Sequence, residues 1–263
     1  MHGRLNKELI RQRFARRLPE YRRHAIIQER MAAELAGLIS PEKGGASFRK
    51  VLEIGAGSGA FTEALLRRCG VETYIANDLV AECSIVVGDI AHKHGVSEFA
   101  FLGGDIEHQE QLPGELDLVV SNATLQWLSD IPALFQQLSA ALRPGGMLAF
   151  STFGKRNMLE IDSIEHVSLG YYDLDELRDF ARQWFEPVQC REEVRRLDFR
   201  SPEEVLRHIS RTGVNGLAQR NPWTKSRHYR FVERYRSSFS SRTGVHLTYH
   251  PLFCVFRRKG EDS

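Results

Sequence analysis

Four cysteines occur in the 263 residues, Cys69, Cys83, Cys190 and Cys254, and no two of them form a C-x-x-C pair. Such scattering argues against a structural metal site or a disulfide framework and fits a reducing, cytoplasmic setting. No histidine pair or carboxylate cluster suggests a metal, so none is expected. No apolar run approaches the ~18 residues of a membrane span, and no membrane partner is expected. The arginine-rich beginning lacks the apolar stretch of a secretory signal. No Ser-His-Asp grouping can be placed, which leaves no candidate covalent nucleophile. Repeats and low-complexity tracts are lacking as well. What remains is 42% hydrophobic and 27% charged, the make-up of a soluble globular chain able to bury a substantial core.

The net charge of +2 conceals an asymmetry. Residues 1–50 carry +7 and residues 201–245 carry +6, whereas 51–200 carry −12 and 246–263 carry +1. An acidic centre with two basic attachments suggests an anionic partner docking on the attachments. The basic flanks contain no recognisable RNA module and no interleaved aromatics, so a nucleic acid is not the expected partner.

Between residues 50 and 153, short apolar strands alternate with helices. Strands are expected at 50–54, 73–77, 99–102, 116–121 and 147–153, with helices at about 58–69, 79–94 and 130–142. This alternation implies an α/β fold with a mostly parallel sheet covered on both faces. Asp173 is expected to cap a further helix. Val188 to Phe199 alternates as one antiparallel strand, residues 201–245 read as helical, and Val245 to Phe256 reads as a single closing strand. The expected organisation is a helical cap over 1–45, a cofactor-binding core over 46–200, a helical lid over 201–245, and the last strand with a tail over 246–263.

The densest chemistry lies in Val51-Leu-Glu-Ile-Gly-Ala-Gly-Ser-Gly59, a buried strand breaking into a glycine-rich turn at the mouth of a helix. Gly55, Gly57 and Gly59 allow a tight turn and a close backbone approach to a ligand, with Ala56 between them. Gly55, Gly57 and Ala60 also satisfy a relaxed dinucleotide pattern. However, the carboxylate of Glu53 beside the loop would repel a pyrophosphate and suits a cationic group, such as the ammonium of S-adenosylmethionine.

In an open parallel sheet the ligand lies beyond the carboxyl ends of the strands. Asp78, 19 residues beyond Gly59, is placed to accept from ribose hydroxyls, with Leu79 beside it. Asp105 and Ile106 would meet the adenine, Asn122 the methionine half, and Gln126 and Trp127 the surroundings of the methyl group.

Further residues extend the pattern. Ser151-Thr-Phe-Gly154, Asn157-Met-Leu-Glu-Ile161, Ser121-Asn122 with Gln126-Trp127, and Pro202 to His208 are among them. So are Thr212-Gly-Val-Asn215, Trp223-Thr, Leu247-Thr-Tyr-His250, and Arg13-Phe14 with Tyr21, Ala25 and Gln28. Together they resemble the malonyl-acyl-carrier-protein O-methyltransferase family of the Rossmann-like class I methyltransferases, which opens pimelate-chain assembly for biotin. Many relatives carry an acidic residue after the aromatic, where this chain has Tyr21-Arg22.

The resemblance implies a seven-stranded sheet, S-adenosylmethionine as cofactor, and methylation of the free carboxylate of a malonyl thioester. The partner it implies, acyl carrier protein, is acidic and would dock on the basic segments 1–50 and 201–245. Methylation of a free small carboxylic acid or other small molecule is the alternative. An ionised carboxylate needs no general base. Arg211 is the expected fork for it, and His208, Tyr249, Gln126, Trp127 and Tyr21 are further positioning candidates.

Overall fold

The computed structural model describes residues 6–42, 45–211 and 224–260. Two helices come first, α1 (Lys7–His24) and α2 (Ile26–Ile39), with the side chain of Asn6 accepting from Leu9 N at 2.9 Å to cap α1. The alternating region follows: β1 (Ala46–Ile54), α3 (Ala60–Leu66), β2 (Cys69–Asp78), α4 (Cys83–Lys93), β3 (Glu98–Gly103), β4 (Leu116–Asn122), α5 (Ile131–Ala141) and β5 (Leu142–Phe153). Then come α6 (Leu159–Glu165), α7 (Leu174–Ala181), β6 (Phe185–Glu192), β7 (Arg195–Phe199), α8 (Pro202–Arg211) and α9 (Lys225–Ser238). The last strands are β8 (Ser240–Ser241), β9 (Gly244–Tyr249) and β10 (Pro251–Arg258).

The main sheet has seven strands in the order β3-β2-β1-β4-β5-β10-β6. Strands β1 to β5 run parallel, and β10 is antiparallel to both neighbours. The alternation along each strand explains the two-sided burial. Val51, Tyr74, Leu118 and Ala149 face one apolar cluster with α2, α3 and α4. Their neighbours Leu52, Ile75, Val119 and Leu148 face the other, with α5 and α7. Period two on a sheet covered on both sides requires apolar residues at both parities. The expected cap at Asp173 forms, as a reciprocal box with Glu176, and Asp130 caps α5 by accepting from Ala133 N.

Two stretches expected as single strands are each two. Val188 to Phe199 divides between β6 in the main sheet and β7 in a separate three-stranded sheet, β7-β9-β8. Val245 to Phe256 divides at His250 into β9 and β10. The alternation hides the breaks because the pairing register is the same on both sides of them, with Leu252 opposite Glu192 and Tyr249 opposite Arg195. The segment before β10 is accordingly framed by strands as well as helical. Its apolar residues, among them Val205, Phe231, Tyr235 and Leu247, join the same cluster as Val51, so it packs as a continuation of that core. Glu160, 0% exposed, ties it down by accepting from Thr248 N at 3.0 Å and Thr248 Oγ1 at 2.5 Å. Among the described residues, no helix is long and apolar enough to cross a membrane.

Candidate active site

A cavity opens at the carboxyl ends of β1 to β5, and α1 roofs it. Lys7, Ile10, Arg11, Phe14 and Tyr21 line it from that helix, a stripe at three-to-four-residue spacing with Tyr21 two turns further on. The floor is the loop after β1. Gly55 N and Ala56 N donate to Asn77 O at 2.9 and 3.0 Å, which ties the loop to the end of β2. Gly55, Gly57 and Gly59 have φ of +73°, +52° and +74°. At Gly59 a Cβ would stand 2.5 Å from Ile90 Cδ1, so a bare backbone is what lets the loop sit against α4.

Asp78 lies at the junction of loop and sheet, 8% exposed. Its Oδ2 accepts from Gly57 N and its Oδ1 from Val80 N, both at 2.8 Å. A carboxylate has about four acceptor sites, more than these two bonds use, which suits ribose hydroxyls. Burial raises its carboxyl, opposed by the backbone donors of Val80 and Gly57, the Cys83 thiol and the Leu79 backbone. Asp105 follows β3 and caps a short 3-10 turn over Ile106–His108, and its Oδ2 accepts from Lys7 Nζ at 2.6 Å. Lys7 also pairs with Glu107, whose carboxylate receives Ser129 N and Asp130 N at 2.7 to 3.0 Å. Ile106, 2% exposed, and Leu79 supply an apolar wall for an aromatic ring.

Glu53 does not line the cavity. It is 1% exposed beneath the loop, and its Oε2 accepts from Thr62 Oγ1 and Tyr74 OH, both at 2.6 Å. This corrects the expectation of a carboxylate presented directly to the ligand: residue 53 shares the parity of Val51 and points into that face of the sheet. Its Oε1 is buried and has no partner among the described residues. Burial pushes the carboxyl up from an ordinary value near 4.5 to about 7; the two hydroxyls oppose this and nearby Asp78 adds to it.

Between those two values the folded chain keeps a proton that the unfolded chain has released. Stability therefore falls as pH rises through this window and levels off above it. In the ligand-free protein, the thermal midpoint of wild type should fall relative to Glu53→Gln between pH 5 and pH 8. A difference between the two that is constant across that range would contradict the assignment.

Asn122, Gln126 and Trp127 line the cavity beyond β4. The amide of Asn122 is already engaged: Nδ2 donates to Gln28 O at 3.2 Å and Oδ1 accepts from Ser151 Oγ at 2.6 Å. It holds α2 against the ends of β4 and β5, and one N–H and one carbonyl lone pair of the amide stay uncommitted by these bonds. Gln126 donates to Ala123 O at 2.6 Å and accepts from Thr152 Oγ1 at 3.1 Å. Ala123 between them has φ of +52°, a left-handed conformation held by Ala123 N donating to Ser151 O at 2.9 Å. Trp127 is half-buried in the wall.

Three expected positioning residues stand elsewhere. Arg211 is exposed at the end of α8 and does not line the cavity. The buried face of that helix is Pro202, Val205 and Ile209, and a residue two positions after Ile209 falls on the opposite side. His208 Nε2 meets Tyr249 OH at 2.7 Å behind the cavity wall, and the Tyr249 ring stands 6.1 Å from that of Phe153, which does line it. Thr212 to Asn215 and Trp223 lie outside the described residues. Residues that sequence reading missed include Lys7, Thr124, Leu169 and Tyr171. The α1 stripe was legible as helical spacing; Tyr171, in a loop after α6, carries no local signal.

The floor and walls fit a nucleoside with a cationic tail. Carboxylates stand beside β2 and β3, an apolar cleft lies between them, and an unpartnered buried carboxylate oxygen sits under the loop. Two solved structures share the fold. The YcgJ protein of Bacillus subtilis aligns with a TM-score of 0.59 at 15% identity, over 87% of this chain and 98% of that one. A Haemonchus contortus phosphoethanolamine N-methyltransferase, in complex with phosphomonomethylethanolamine and S-adenosylhomocysteine, gives 0.51 at 19% identity, over 87% of this chain and 52% of that one. The family described as "Methyltransferase domain" matches residues 13–221. A Prosthecochloris aestuarii protein named malonyl-[acyl-carrier protein] O-methyltransferase is 52% identical over 254 residues, 97% of this chain and 94% of that protein. A Chlorobium luteolum protein of the same name is 45% identical over 263 residues, 100% of both.

Proposed function

Because the chain belongs to the malonyl-[acyl-carrier protein] O-methyltransferase family, we propose that it methylates the free carboxylate of a malonyl thioester on acyl carrier protein. The observation that carries this reading is the cavity itself: glycine loop, Asp78 and Asp105 on one side, an apolar recess on the other, and a basic helix as its roof. S-adenosylmethionine, when bound, supplies a methyl group on a positively charged sulfur, which makes it a strong electrophile toward an oxygen anion.

Each part of the chain then has a task. The backbone of Gly55 to Gly59 and Asn122 flank the methionine half, Asp78 accepts from the ribose hydroxyls, and Asp105 with Ile106 and Leu79 receives the adenine. Glu53 stabilises the cationic tail from beneath the loop rather than by contact. No residue has to remove a proton, since the malonyl carboxylate is ionised at neutral pH. The remaining work is alignment and exclusion of water, done by Phe14, Phe61, Phe153, Leu169 and Trp127 around the cavity. The methyl ester formed is neutral, which favours its release.

The carrier protein docks on the basic surface. Arg16 of α1, Arg207 and Arg211 of α8, and Lys225 and Arg230 of α9 are exposed, and α1 packs on α8, with Arg17 donating to Ser210 Oγ at 3.2 Å. Arg211 thus serves the carrier rather than the acceptor carboxylate. Such an interface speeds encounter and is screened by salt.

The test is methyl transfer from labelled S-adenosylmethionine to malonyl-acyl carrier protein, malonyl-coenzyme A and free malonate at about 50 and 300 mM salt. The expected result is a strong preference for the carrier-bound acceptor, with KM rising several-fold at the higher salt and that for the coenzyme A thioester changing far less. Equal transfer to free malonate would remove the carrier from the reading, and no transfer to any malonyl species would overturn it.

A further inference from the structure

The acceptor end of the cavity is the side away from Asp105. Strands β3 and β5 stand at opposite ends of the five parallel strands, about 19 Å apart at ordinary sheet spacing. Asp105 and Lys7 mark the β3 side, whereas Phe153, Leu169 and Tyr171 belong to β5 and the loop after α6. Among the described residues, the cationic side chains lining the cavity are Lys7 and Arg11. Lys7 is paired with Asp105, and Arg11 Nη2 lies 2.8 Å from Glu8 Oε1.

A different donor stands at the β5 side. Asn157, 2% exposed, donates through Nδ2 to Tyr171 OH at 2.9 Å. The direction of this bond follows from the other end of the amide, where Asn157 Oδ1 accepts from His250 N at 3.4 Å. A backbone N–H can only donate, so the oxygen of the amide faces His250 and the nitrogen faces Tyr171. Tyr171 oxygen therefore accepts from Asn157, and its own proton must go to another acceptor. None is present among the described residues. Burial pushes the phenol up to about 12, with the Asn157 bond opposing and Asp162 adding, so the group is an O–H donor throughout the neutral range.

We propose that Tyr171 donates its hydroxyl proton in a hydrogen bond to one oxygen of the acceptor's free carboxylate, with Asn157 as the positioning residue that turns the hydroxyl toward it. This rests on the malonyl-acceptor reading above and names the group that recognises the carboxylate. One neutral donor leaves the second oxygen free as nucleophile, whereas a guanidinium fork would engage both and lower the nucleophilicity of each. It also retains little hold on the product, whose ester oxygens are uncharged and weaker acceptors.

The test uses full-length wild type, Tyr171→Phe and Asn157→Asp, each loaded with S-adenosylhomocysteine, and measures binding of malonyl- and acetyl-acyl carrier protein. Tyr171→Phe removes one oxygen and should bind S-adenosylhomocysteine within about 2-fold of wild type, while its affinity for the malonyl carrier falls about 10-fold or more. Its affinity for the acetyl carrier, which has no carboxylate, should not change. Asn157→Asp keeps the tyrosine but places an acceptor against its hydroxyl, so it should lose the same preference although the phenol is present. If wild type prefers the malonyl carrier and Tyr171→Phe keeps that preference, or if the malonyl and acetyl carriers weaken equally, the tyrosine assignment is overturned. A wild type that does not distinguish the two carriers overturns the acceptor reading, and the assignment with it.

Discussion

Gly55→Ala is expected to lose S-adenosylhomocysteine affinity by more than ~100-fold and to bring methyl transfer to background. Two physical effects coincide there. At φ of +73° a side chain costs about 1–2 kcal/mol in the left-handed region. The larger effect is steric, because the new Cβ would stand 2.2 Å from Thr124 Oγ1 and 2.5 Å from Thr124 Cγ2. Thr124 is held by donating to Asn122 O at 3.1 Å, within the turn whose Ala123 already has a positive φ. Relief must therefore come from the Gly55 side, which pulls Gly55 N and Ala56 N off Asn77 O and opens the floor of the cavity. Gly95→Ala separates the two effects: φ there is +75°, but nothing lies within 4 Å of the added Cβ. That control should keep full cofactor affinity with a small loss of stability. Isothermal titration of both variants reads the difference, and a Gly55→Ala protein that binds like Gly95→Ala would show that the loop does not form the floor.

The second large effect is expected at Asp78. Asp78→Ala removes the acceptor of Gly57 N and of Val80 N in a buried position, and each stranded donor costs on the order of 1–3 kcal/mol. It also removes the acceptor assigned to the ribose. Affinity for S-adenosylhomocysteine should fall by about 100-fold or more, with a lower thermal midpoint. Asp78→Asn keeps one carboxyl-type oxygen and should fall between the two. A ribose role and a loop-holding role make different demands: if Asp78 acts on the loop alone, the Asn variant should lose stability in step with affinity. An affinity loss that exceeds the stability loss assigns the remainder to the ligand. An Ala variant binding within 3-fold of wild type would displace Asp78 from the site.

Much of the cavity lining was legible because its signals are local. Gly55, Gly57 and Gly59 announce positive φ, Asp78 is counted off from them, and Ile106 and Trp127 follow strand ends, which is where a parallel sheet puts its ligands. The same locality explains the misreadings. Glu53 reads as a ligand contact from its neighbours in sequence, yet the parity of its strand turns it into the core. Arg211 looks suitable by chemistry alone, and a half-turn of α8 takes it to solvent. The alternation from Val245 to Phe256 gives no sign of the break at His250, since period two continues through a change of sheet.

The sequence by itself determined the strand–turn–helix at Val51 to Gly59, the two-sided burial of the parallel strands, the helix cap at Asp173, and the charge division between core and attachments. All of these follow from backbone restriction, side-chain periodicity or simple counting, within a few residues or along one element. Only the tertiary structure decided that α1 roofs the cavity, that Lys7 reaches Asp105 across 98 positions of chain, and that Asn157, His250 and Tyr171 meet beside β5. Contacts of that kind depend on how whole elements pack against a shared core, and no local propensity encodes the distance between two residues that the chain brings together from afar.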